Sequence, residues 1–173
     1  MHSVNILLAG GLPTEINEII YGGRLMALEK KGGICPIAVG YTWQRLAKKC
    51  TNRHVISRRS TALQPTQLGV GVSGGAEAAI HATRRYVKQL PGNHVLVKLD
   101  FNNAFNSVTR DLVLNSIADK TPELYRFVSA SSSCDPILMF GTQQIRFREA
   151  FKQDDPLSSL AFCDAVNPML TSP

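Results

Sequence analysis

The run Val95-Leu96-Val97-Lys98-Leu99, ending in Asp100, constrains the fold more than any other stretch of the 173 residues. Its alternation has the period of a strand, with Val95, Val97 and Leu99 on one face and Lys98 and Asp100 on the other. It predicts a strand that carries a carboxylate at the rim of a sheet. A buried carboxylate without a partner is expensive, so an acid in that position binds a cation, accepts hydrogen bonds or faces water. A solvated strand-end aspartate is the simplest of these readings. The residues that follow, with Phe101 next and Phe105 five positions on, open the others.

The stretch Val97-Lys98-Leu99-Asp100-Phe101-Asn102-Asn103-Ala104-Phe105-Asn106-Ser107-Val108 resembles the first catalytic motif of reverse transcriptases, closest to those of non-LTR retrotransposons. Further segments agree in order. Tyr21-Gly22-Gly23-Arg24-Leu25-Met26-Ala27-Leu28 and Gly33-Ile34-Cys35-Pro36-Ile37-Ala38-Val39-Gly40, followed by Arg45-Leu46, are similar to that family's fingers. Gln67-Leu68-Gly69-Val70-Gly71 and Gly74-Gly75-Ala76-Glu77-Ala78-Ala79 match its link into the palm. Gln153-Asp154-Asp155-Pro156-Leu157-Ser158 resembles the motif that opens its next palm helix. The resemblance spans nearly the whole chain.

It implies an α+β fold made of reverse-transcriptase fingers plus an incomplete palm. Residues 1–92 are then the fingers-like region and 93–173 the incomplete palm, with 109–148 able to pack back on the fingers. The implied activity is RNA-directed DNA synthesis, a phosphoryl transfer in which carboxylates bridge two metal ions. Magnesium suits such a site because it takes hard oxygen ligands. By resemblance Asp100 is the first catalytic acid, and the Phe101 carbonyl is a further metal ligand. Phe105 matches the aromatic gate beneath the sugar, and Ala104 the small residue beside the triphosphate. Lys30 or Lys31 corresponds to the fingers lysine, and Gln153 to a glutamine near the incoming nucleotide. Arg45, Lys48 and Lys49 would meet template phosphates. The implied partners are an RNA template, a DNA primer and deoxynucleoside triphosphates. Each residue also has a plainer reading: Phe105 as core, Lys30-Lys31 as a solvated turn, Gln153 as a surface residue and Arg45 as a helix solubiliser.

The chain departs from the family pattern at Cys35, where an arginine is usual and a bidentate phosphate grip is lost. Asp154 replaces a glycine and adds negative charge, and Ala150 stands where a glycine often sits. The aromatic-x-Asp-Asp motif that supplies the remaining acids belongs beyond the last helix and is not among these residues. Asp154-Asp155 precedes Pro156-Leu157-Ser158 and is no substitute. One acid does not hold two magnesium ions, so the expectation is a fragment, truncated before that motif and inactive by itself.

A net charge of +6 favours a polyanionic partner. The charge concentrates in the first half, at Lys30-Lys31, Arg45-Lys48-Lys49, Arg53-Arg58-Arg59 and Arg84-Arg85-Lys88, a distribution that suits phosphate backbones. Four scattered cysteines show no metal-ligand spacing and read as reduced thiols of an intracellular protein, cytoplasmic or nuclear. No run reaches membrane-spanning length.

Along the chain, residues 13–29 predict a helix broken at Gly22-Gly23, then a basic turn and a strand over 34–39 whose Pro36 suits an edge. Thr42 caps a helix to about 50, and 52–67 stays ambiguous. Ser73 caps a helix over 74–90. Helices follow over 109–118 and 122–131, then a hairpin over 137–147 with Gly141-Thr142 at its turn. Asp155-Pro156 opens a final helix.

Three alternatives stand beside the polymerase reading. Gly69-Val70-Gly71-Val72-Ser73-Gly74 spells a dinucleotide-binding fingerprint, although the residues before it are polar and include Pro65 where a buried strand is needed. A non-catalytic nucleic-acid-binding module needs only the basic first half. A degenerate remnant with uncovered sheet edge would fold poorly.

Overall fold

The structure, a computed structural model, describes residues 2–101, 104–148, 152 and 155–171. Gln153, Asp154 and Ala150 lie outside the described residues. The fold is α+β: short helices α1 (His2–Leu8) and α2 (Thr14–Ile20) lead into strands β1 (Gly23–Lys30) and β2 (Gly33–Gly40). Then come α3 (Thr42–Leu63), α4 (Gly75–Lys88), α5 (Ala104–Ser107), α6 (Arg110–Lys120), a 3-10 turn (Pro122–Leu124) and α7 (Tyr125–Ser132). Strands β3 (Ile137–Phe140) and β4 (Gln143–Arg146) precede the last helix, α8 (Ser158–Thr171).

One mixed sheet, in the order β2-β1-β3-β4, joins the first and second halves of the chain. β1 and β2 pair antiparallel along their whole length, from Gly23 opposite Gly40 to Lys30 opposite Gly33. Gly32, at φ +89°, makes the tight turn between them. Pro36 lies in β2, an edge strand, where a missing amide donor is tolerated. β1 also pairs parallel with β3 over Gly23–Leu138 and Arg24–Met139, so residues 137–146 add to the sheet begun by 23–40. Gly22 and Gly23 explain how the chain enters it: a Cβ on either would strike the carbonyl oxygen of Ile137 or Val39.

The helix predicted to continue past Gly22-Gly23 is therefore strand β1, because two neighbours supply ladder hydrogen bonds that local spacing does not reveal. The ambiguous stretch after residue 50 continues α3 to Leu63. Its buried positions Gln44, Ala47, Lys48, Thr51, Val55, Ser60 and Leu63 recur at helical spacing and face the core. Thr42 is the first helical residue rather than the cap, which is Tyr41. Gly74, in the left-handed region at φ +66°, rather than Ser73, precedes α4.

The core gathers Leu7, Tyr21, Val55, Leu63, Ile117, Phe127 and Leu160 from α1, α3, α6, α7, α8 and the entry to β1. Each such side chain contributes about 1.5–3 kcal/mol on burial. Two ion pairs clasp α3 to the α8 region within it. Lys48 meets Asp155, and Arg59 grips Asp164 in bidentate fashion, with Nη2 2.7 Å from Oδ1 and Nε 3.1 Å from Oδ2. Pro168 sits inside α8 and has no amide hydrogen to give the Asp164 carbonyl. Lys120 of α6 donates to that carbonyl instead. Thr109 caps α6, accepting from the Leu112 amide at 3.4 Å.

The predicted strand before Asp100 has no ladder partner among the described residues. Residues 93–101 are without regular structure, and Val95, Leu99 and Phe101 are 83%, 78% and 61% exposed.

Candidate functional site

The residues singled out from sequence fall in three places. Lys30 and Lys31 are exposed at the tip of the β1–β2 hairpin, where Gly32 makes the turn.

On α3, Lys49 is exposed and Arg45 half-buried, whereas Lys48 is buried against Asp155. The reading of Lys48 as a phosphate contact is corrected by that placement, since its ammonium faces a carboxylate inside the protein rather than solvent.

Asp100 and Phe101 are exposed, with no ladder among the described residues beside them to make a sheet rim. Ala104 and Phe105 are half-buried in α5, and the Phe105 ring packs on Phe162 of α8, centroids 5.3 Å apart and tilted by 57°. That contact brings Phe105 to the helix opened by Asp155-Pro156. Asp155 turns the chain there: its Oδ1 accepts from the Leu157 amide at 3.0 Å, and its other oxygen takes Lys48. Gln153 lies outside the described residues.

Sequence reasoning missed Lys152. Its ammonium is buried beneath the start of β1 and donates to the carbonyls of Tyr21 and Gly22, the latter at 3.1 Å. Burial pushes its pKa down from 10.5 to about 7; the Lys48 charge acts in the same direction, while Asp155 and Cys134 oppose it. Tyr21, Lys48, Arg110, Lys152 and Asp155 border a cavity of about 30 Å³, room for water but not for a nucleotide. The Tyr21 hydroxyl is buried without a partner among the described residues, and its pKa is pushed up to about 12, by burial first and Cys134 second. Lysine bonded to two backbone carbonyls donates in either protonation state, so Lys152 positions the β1 entry against the approach to α8. No periodicity or motif marks a single lysine for that role.

Among the described residues no three His, Cys, Asp or Glu side chains converge as a metal would require. Asp155 and Asp164 are held by cationic side chains, whereas Asp100 faces solvent. The glycine fingerprint at 69–74 precedes α4, but the residues before it end α3 and form turns, not the buried strand that a dinucleotide site needs. No helix among the described residues is long and apolar enough to cross a membrane. Compared with protein-family models and with curated proteins, the chain matches none.

Proposed function

We propose that the chain is the fingers and part of the palm of a reverse-transcriptase domain of non-LTR type. Its parent activity is RNA-directed DNA synthesis, using magnesium, deoxynucleoside triphosphates, an RNA template and a DNA primer. The observation that carries this reading is the packing of Phe105 on Phe162, which joins two motif segments far apart in sequence. The hairpin with Lys30 and Lys31 at its tip, extended by β3 and β4, supports it.

Among the described residues Asp155 is already paired with Lys48 and no three acid, histidine or cysteine side chains converge, so they do not fit a two-ion site. On this reading the chain by itself binds template-primer without extending it. The test is binding of a labelled RNA–DNA template-primer with magnesium, with and without the next complementary deoxynucleotide. The reading expects salt-dependent binding, strengthened by the complementary nucleotide and weakened by Lys30→Ala/Lys31→Ala, with no primer extension. Failure to bind overturns it, and extension by the chain alone overturns its inactivity.

A second reading, a non-catalytic nucleic-acid-binding module, is favoured by the exposed Arg84, Arg85 and Lys88 of α4. It expects the same salt dependence with no response to nucleotide.

A further inference from the structure

Residues 95–101 carry strand-forming side chains, yet they pair with nothing described, and Val95, Val97, Leu99 and Phe101 are all exposed. An unpaired run of this kind is a template for another chain. Its charges say which chain. In an antiparallel pair of two copies centred on Leu99, Lys98 of each stands opposite Asp100 of the other, twice by symmetry. Val97 stands opposite Phe101, and Leu99 opposite itself. Directly opposite residues share a face, so one face of the ribbon is apolar and the other holds two opposite-charge pairs.

Other registers lose this match. Parallel in-register pairing, or a two-fold at Lys98, sets lysine against lysine. A two-fold between residues puts the apolar row of one copy beside the polar row of the other. We propose that the chain self-associates as a two-fold dimer through antiparallel pairing of 97–101 centred on Leu99. The inference is independent of the polymerase reading, and in the dimer the Asp100 carboxylate faces the Lys98 ammonium instead of a metal ion.

The test is sedimentation of the whole chain over a concentration series. Wild type is expected to dimerise, and Lys98→Asp to weaken the dimer roughly tenfold by setting like charges opposite. The double variant Lys98→Asp/Asp100→Lys restores it. In a Cys50→Ser background, Leu99→Cys forms a disulfide-linked dimer on mild oxidation. These exposed substitutions leave the circular dichroism unchanged. A wild-type chain that stays monomeric overturns the proposal, and so does a double variant as weak as Lys98→Asp. Association that persists unchanged in Lys98→Asp overturns the register.

Discussion

The α3–α8 clasp and the 93–101 segment are opposite answers to the same difficulty. Asp164 is a charged group that the fold buries, with the half-buried Arg59 as its partner: the carboxylate is bidentate to the guanidinium. Val95, Val97 and Leu99 are apolar groups that the fold leaves in water. Burial here follows the availability of partners more than the polarity of the side chain. A charge with a complement in α8 goes inside, and a strand-former without a neighbour stays out.

The largest test of that contrast is the clasp itself. Arg59→Ala leaves the Asp164 carboxylate buried and unpaired, and is expected to cost about 3–5 kcal/mol in a denaturant titration. A loss below about 1 kcal/mol would mean that the pair does not hold the helices together.

Next in size is the pH dependence set by Lys152. Its folded pKa, near 7, lies below its unfolded value, so between pH 7 and about 10 the unfolded chain binds more protons and stability rises with pH. From about pH 9 the raised thiol of Cys163, near 11, acts in the opposite direction, which confines the clean window to pH 7–9. The Lys152 contribution there is on the order of 2–3 kcal/mol. Thermal melts of Lys152→Met are expected to lack that rise.

Smaller still is the α6 cap. Thr109→Ala removes the acceptor for the Leu112 amide and is expected to lower stability by about 1 kcal/mol. At the other extreme, Val95→Ser in the exposed segment should change monomer stability by less than about 0.5 kcal/mol. A larger loss would show that this valine has an intramolecular partner after all.

The parts of the fold legible in sequence are those fixed by neighbours in the chain. Gly141-Thr142, between the apolar run 137–140 and residues 143–147, marks the β3–β4 hairpin, and Lys30-Lys31-Gly32-Gly33 marks the β1–β2 turn. Pro36 gave the edge strand, and Thr109 opened its helix. What escaped depended on distant residues. β1 is a strand because β2 and β3 flank it, and the second half of α3 is helical with Val55, Arg59 and Leu63 turned to a core and an Asp164 that lie far along the chain. Val95–Leu99 shows the converse, since its strand pattern is real but no described strand meets it. Of the candidate site, Phe105 is placed beside α8, while Lys48 moved from the surface to an ion pair.

Amide hydrogen exchange in dilute solution tests the contrast most directly, because it reads both regions at once. The account predicts that amides of residues 94–101 exchange at close to free-chain rates while those of α3 and α8 are protected up to the global stability. Protection of 94–101 comparable to that of α3, under conditions where the chain is monomeric, would contradict it.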